Sequence, residues 1–247
     1  MIISKYARMP IFTAVYLGSI NLSDIEEVLD VQATKPNRMA RRRQETRAKL
    51  LLATHELIVE KGIEKTTMSD ITEAADLGRR TFYYHFASKD ECIAATAVEV
   101  YQRHAMAVLN IVSPADDPAL VMATATQSVL SSLLREPITA CLVERPRLLG
   151  DSLWGAIGPF VHSDMQAGID IGRFTPPMRP KVLDSMMIWS LVGLIIEAIE
   201  VENDLVAVLE EYAQMFLMIL GIPVEEAKEI SLQASKNLSE ARSEARL

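Results

Sequence analysis

The chain has 247 residues, 49% of them hydrophobic, and a net charge of −8. That length exceeds the ~100–200 residues of a usual single domain, so a small module joined to a larger body is expected. The acidic balance excludes a protein that coats nucleic acid over its whole surface. The charge is nevertheless unevenly placed. Residues 35–49 hold seven basic residues (Lys35, Arg38, Arg41, Arg42, Arg43, Arg47 and Lys49) against the single acid Glu45, whereas from Val100 onward 11 Lys and Arg face 19 Asp and Glu. One end is attracted to phosphate and the other is repelled by it.

No stretch alternates with strand period, so an all-α chain is expected. In residues 1–38, Lys5 and Arg8 followed by residues 11–20 faintly imitate a signal peptide, but the apolar run is short and interrupted by Thr13, Gly18 and Ser19. The expectation is that Met39, opening Met-Ala-Arg-Arg-Arg, is the native start, and that residues 1–38 are an over-extended reading frame or a dispensable arm. Residues 41–61 then carry Leu50, Leu51, Thr54, Leu57 and Ile58 at spacings of three and four, which predicts one buried helical stripe ended by Gly62.

Thr67 predicts an N-cap, with Asp70 three residues later closing a capping box. A second helix over 68–75 buries Ile71, and Asp76-Leu77-Gly78 forms a tight turn in which Asp76 adopts the left-handed conformation. A third helix over 79–86 puts Phe82 and Phe86 in the core. Its other face carries Arg79, Arg80, Thr81, Tyr83, Tyr84 and His85, side chains suited to phosphates and base edges. Of the last three, at least one is expected to be core, Tyr83 being the candidate to pack with only its hydroxyl showing. Ser88 to Glu91 is a second capping box opening a long fourth helix, and Lys89 there opposes the helix dipole, as a phosphate partner would explain. Two helices packed around a tight turn are the arrangement of helix-turn-helix DNA readers, and Arg41, Arg42 and Arg43 just ahead are a further phosphate or groove contact.

Beyond Val100, prolines predict breaks at 113–118, 136–137, 145–146, 158–159 and 175–180, leaving about six helices. The helices over about 182–201 and 205–220 are apolar over more than the ~100° stripe that one core contact needs, so their excess surface is expected to face a second subunit. A C-terminal tail is expected over 226–247, and its polar, charged part after Ala234 is expected to fray. The apolar run 186–196 is shorter than the ~20 residues that span a bilayer, so no membrane segment is expected. Cys92 and Cys141 lack metal or disulfide spacing, which predicts reduced thiols in a cytoplasmic protein and no metal or cofactor. His55, His104 and His162 are too scattered for a catalytic set, so no enzyme is expected.

Over residues 41–95 the chain resembles the TetR family of bacterial transcriptional regulators, through Gly62, Thr67, Ile71, the Ala75-Asp76-Leu77-Gly78 turn, Thr81, Tyr83, His85-Phe86 and Lys89 in register. The resemblance implies a helix-turn-helix domain over 39–95 and a ligand-binding and dimerisation body over 96–225. It also implies a homodimer on a palindromic double-stranded operator, and a four-helix dimer bundle built from the last two long helices. It places Thr67, Tyr83, His85 and Lys89 on phosphates, and the start of helix three on bases. Where the family usually has Gly and Ser in the turn and cap, this chain has Asp76 and Gly78; Arg79 and Arg80 compensate and point to guanine.

Met106, Trp154, Phe160, His162, Met165, Met186, Met187 and Trp189 are the candidates to line a cavity for a small apolar ligand, since Met and aromatic walls suit one. The expected function is a ligand-responsive repressor. The alternative is a helical small-molecule-binding protein or enzyme whose DNA module is vestigial.

Overall fold

The computed structural model describes residues 38–108, 111–112, 116–200 and 205–244, and the extension over 1–37, with the expectations placed on it, lies outside the described residues. The described chain is helical with no strand. Its elements are α1 (Arg38–Lys65), α2 (Met68–Ala74), α3 (Arg79–His85), α4 (Lys89–Ala107), α5 (Pro118–Leu133), α6 (Pro137–Leu142), α7 (Pro146–Asp170), α8 (Pro180–Glu200), α9 (Leu205–Ile219) and α10 (Val224–Glu244).

The head is α1 to α3 and the start of α4. The stripe read from the sequence buries Leu50, Leu51, Thr54 and Ile58, and Gly62 at φ 80° interrupts the helix in a conformation that glycine adopts without a Cβ penalty. Leu50, Leu51, Ile71, Phe82, Phe86 and Cys92 form one small core. The Thr67 capping box is complete: Asp70 N–H donates to Thr67 Oγ1 (3.2 Å) and Thr67 N–H to Asp70 Oδ2 (2.8 Å). Lys61 adds an ion pair at 2.7 Å that clips α2 to α1 and, with the two Thr67 bonds, holds the Asp70 carboxyl at about 2. Asp76 has φ 52°, the left-handed conformation expected of it.

α4 belongs to both parts, so the expected division between residues 95 and 96 falls inside one continuous helix. Its first turns bury Cys92 in the head core, and Val100, Tyr101 and Ala105 lie in the body core with residues of α5, α6, α7 and α8. Arg145, the N-cap of α7, fastens the same joint by donating to Glu64 (2.6 Å) on α1 and Asp90 (2.8 Å) on α4.

Three expectations about the body are corrected. Pro159 does not break a helix but lies within α7. A proline restricts the preceding residue largely through that residue's Cβ, and Gly158 has none. A Cβ at Gly158 would also sit 2.5 Å from the Trp154 ring, so the glycine lets that ring lie flat along its own helix. The tail after Ala234 is not frayed up to residue 244: it continues α10, which buries Ala227, Ser231, Ala234 and Leu238 against α5 and α9. A buried chain of bonds, Gln127 Nε2 to Ser231 Oγ (3.0 Å) and Ser231 Oγ to the Glu210 carbonyl (2.7 Å), ties it in place. α10 therefore covers one face of α9, and part of the apolar excess ascribed to a second subunit is buried within the chain.

The apolar stretch in α8 is also longer than residues 186–196: Pro180–Ile199 has 20 residues and a mean hydropathy of 1.9, enough to cross a membrane by length and composition. Leu183, Ile188, Leu191, Val192 and Ile195 bury one face in the body, leaving Val182, Met186 and Trp189 exposed on another.

Candidate nucleic-acid interface and body cavity

α3 has one buried side chain within it, Phe82, and everything else on it is at least partly open. Tyr83 (55% exposed) and Tyr84 (66%) both stand clear of the core, against the expectation that Tyr83 packs. Beneath α3 the core rings are the Phe82–Phe86 pair, with centroids 5.8 Å apart. Arg79 and Arg80 begin the helix, exposed, at the end whose dipole disfavours cations. No stability argument places two arginines there, whereas a polyanion facing that end supplies one. Arg79 is pre-aimed by a bond to Ser69 Oγ (2.6 Å). Thr81 is half-buried beside them.

Gly78 is an extended N-cap with no side-chain bond, and a Cβ there meets nothing within 4 Å. Thr67, the exposed N-cap of α2, uses its oxygen to cap and keeps its hydroxyl hydrogen for an acceptor.

The basic segment ahead of the motif is helical, the first turns of α1, rather than an extended arm. Arg43 lies over the Tyr84 ring at 5.2 Å and Arg47 over Phe86 at 5.2 Å, so α1 delivers its cations onto the face of α3. Arg41 pairs with Glu45 in an exposed contact of little energetic weight, and Arg42 is exposed alongside. Burial, then Arg43 and Arg47, push His85 below its ordinary value, which favours the neutral imidazole in the free protein. Lys89 has an internal reason for its place: its ammonium donates to the carbonyls of Ile63 (3.1 Å) and Thr66 (3.0 Å), closing the end of α1. The dipole argument that assigned it to phosphate is thereby answered within the fold.

In the body, α4, α5, α7, α8 and α9 line a partly open cavity of about 70 Å³. Of the expected lining residues, Trp154, Phe160 and Met187 are there. The others are not, because neighbours on a helix point about 100° apart. Met106 is exposed while Ala105 and Val108 line the cavity. Met165 is buried in a separate cluster, and Met186 and Trp189 face outward. His162 is outside, bonded through Nδ1 to Asp184 (3.1 Å), which does reach the cavity.

Sequence reasoning missed Asp164, Asp184, Tyr212 and Phe216 in the wall. Asp164 carried a usable signal: it follows Trp154, Ile157 and Phe160 at spacings of three and four, a carboxylate in an apolar stripe. Burial alone raises it to about 7. The thiol of Cys92, 3.2 Å from Thr54, is pushed by burial to about 11 and is unreactive. No cluster of metal-ligating side chains occurs among the described residues.

Comparison with known proteins places both parts. Residues 50–96 match the profile of bacterial regulatory proteins of the tetR family, and residues 117–233 match that of a tetracyclin repressor-like C-terminal domain. The regulator TcmR of Streptomyces glaucescens is 34% identical over 95 residues, 38% of this chain and 42% of TcmR. TtgR of Pseudomonas putida is 34% identical over 61 residues, 25% of this chain and 29% of TtgR. These matches thus span less than half of either relative's length. Among solved structures, RolR in complex with resorcinol is 26% identical with a TM-score of 0.66, over 78% of this chain and 95% of RolR. Head, linking helix and body all fall under matched profiles or this shared fold, and the chain belongs to the TetR family.

Proposed function

We propose that the protein is a dimeric, ligand-responsive transcriptional repressor that reads a palindromic operator with α3. The single observation that carries this is the exposed polar face of α3: Arg79, Arg80, Tyr83 and Tyr84 are exposed at the surface, with Arg43 of α1 stacked on Tyr84. Arg79 and Arg80 are the base readers, and Arg41, Arg42, Arg43, Thr67, Thr81, Tyr83, Tyr84 and His85 are the phosphate and groove contacts, with Gly78 letting the backbone approach closely. Lys89 acts from behind, by fixing the end of α1.

The dimer forms through the exposed apolar side chains of α8 and α9, Val182, Met186, Trp189, Met215 and Met218, which a cytoplasmic monomer would leave in water. The ligand enters the body cavity. α4 supports a route from there to the head, since Ala105 and Val108 line the cavity while Cys92 of the same helix packs in the head core. A ligand that displaces the end of α4 or strains the Arg145 clamp shifts the spacing of the two heads by its differential affinity for the two arrangements. RolR holds resorcinol, which supports a small-molecule effector for this body as well.

The reading is tested by selecting bound duplexes from a random DNA pool with the full chain at near-physiological salt. One enriched inverted repeat is expected; a pool that emerges without enrichment contradicts it.

A further inference from the structure

The body cavity has a neighbour. A second, more open chamber of about 270 Å³ lies between α7 and α8, with Asp151 and Trp154 on one side and Lys181, Ser185 and Trp189 on the other. Trp154, Asp184 and Ile188 line both spaces, so the two lie back to back with these side chains as the partition. The indoles are seated by glycines of α7. A Cβ at Gly158 would sit 2.5 Å from the Trp154 ring, and one at Gly150 would meet the Trp189 ring at 3.4 Å. Trp154 is nevertheless 40% exposed and Trp189 50%.

Neither space is a ligand site by itself. At about 70 Å³ the inner one falls well short of the ~300–1,000 Å³ of ligand pockets, whereas the outer one approaches that range. A pocket also buries about 70–90% of its occupant's surface, which a chamber open on one side does not do. The outer chamber therefore needs a further wall. Val182, Ser185, Met186 and Trp189 share one face of α8, being three, four and seven residues apart. Ser185 and Trp189 line the chamber, and Val182, Met186 and Trp189 are exposed apolar side chains beside it. Whatever buries that stripe also covers the chamber's rim. Asp151 and Lys181 stand on that rim, one on each helix, exposed and without an ion pair among the described residues. Opposite charges on one face are self-complementary under a two-fold axis, which favours a second copy over an unlike partner.

We propose that the α8 face of a second copy closes the outer chamber, joining the two spaces into one effector site at the subunit contact with Trp154 as the partition between them. The inference rests on the α8 dimer and the ligand-responsive body proposed above, and adds that the site is incomplete in a single chain. An effector seated there touches both subunits. A ligand that binds the dimer more tightly than the monomer stabilises the dimer by the same factor.

Trp154 and Trp189 are the two tryptophans of the chain, so its indole emission reports on this chamber. The test measures acrylamide quenching of that emission in the full-length protein on dilution from dimer to monomer, with the mass followed by sedimentation. Met186→Asp supplies a second monomer, since Met186 is exposed on the stripe and lines neither chamber. Trp189→Phe, read at concentrations where it sediments as a dimer, leaves Trp154 as the sole reporter. Quenching is expected to be several-fold weaker in the dimer than in either monomer, for the parent and for Trp189→Phe alike, with Trp154 emission shifted to the blue. A dimer whose Trp154 is as quenchable as in the monomer overturns the inference and leaves the dimer reading standing. A parent that is monomeric at every concentration, or a Met186→Asp that stays dimeric, removes α8 from the contact and overturns both.

Discussion

The head and the body break the rule of polar outside and apolar inside in opposite ways. In the head, Arg79, Arg80, Tyr83 and Tyr84 are more exposed and less engaged than folding requires. In the body, Trp189 and Met186 are apolar yet exposed, while Asp164 is charged by type yet half-buried in a largely apolar cavity wall. In-chain contacts account for only part of this, Arg79 with Ser69 and Tyr84 beneath Arg43, and each violation suggests the partner that would supply the rest: a polyanion for the head, a second copy for α8, a small molecule for the cavity.

That contrast is open to direct attack, first at the subunit contact. Replacing Trp189 with Asp puts a charge into the centre of the apolar stripe on α8. Loss of an aromatic anchor at an interface costs about 2–4 kcal/mol, so sedimentation is expected to show monomers at concentrations where the parent is dimeric, with operator binding lost. An unchanged mass would remove α8 from the interface.

The head is probed by Arg80→Ala, expected to cost about 1–3 kcal/mol at one base position and nothing at the others. A loss spread evenly over all sequences reassigns Arg80 to phosphate. Because Arg80 is exposed, the melting temperature should not move.

The buried carboxyl is next. Asp164 has a folded value of about 7, above the ordinary value near 3.8, so the folded state holds the proton more tightly than the unfolded one. Its contribution is fully favourable below pH ~4 and is lost as pH rises through about 7. Denaturation of the parent at pH 8 against pH 5 should therefore show a deficit on the order of 2 kcal/mol, discounted for its partial exposure, that Asp164→Leu removes. Equal pH profiles in the two proteins would mean that the carboxyl is already satisfied.

The smallest change is at the cap of α3. Gly78→Ser meets no neighbour within the chain and restores a capping hydroxyl, which should raise stability by a few tenths of a kcal/mol. A fall in stability would show that the extended cap needs glycine.

How much of this could be read beforehand also divides along the chain. The head was legible because its signals are local: Thr67 with Asp70, the left-handed Asp76, and Phe82 with Phe86 are all set by spacings of four residues or fewer. What it hid was the third dimension. Nothing in the spacing says that Lys89 reaches back 26 residues to the carbonyl of Ile63, or that Phe82 and Phe86 leave Tyr83 outside. In the body the long apolar helices were plain, but the cavity depends on which of two adjacent residues points inward, hence Met187 and not Met186. α10 escaped because its inward residues, Ala227, Ser231, Ala234 and Leu238, are mostly small and are set among charged neighbours. Pro159 misled because the glycine before it removes the clash that usually makes proline a boundary.

The central claim, that the exposed face of α3 and the first turns of α1 engage a polyanion, is tested most directly by operator affinity as a function of salt. With several phosphate contacts from each head of a dimer, affinity is expected to fall by about 10³-fold or more between 50 and 200 mM salt. Removing one phosphate contact, as in Arg43→Ala, should lower the slope of log affinity against log salt by about one. An affinity that stays flat across that range would contradict the account, because arginines at the N-terminal ends of α1 and α3 would then have no partner to explain them.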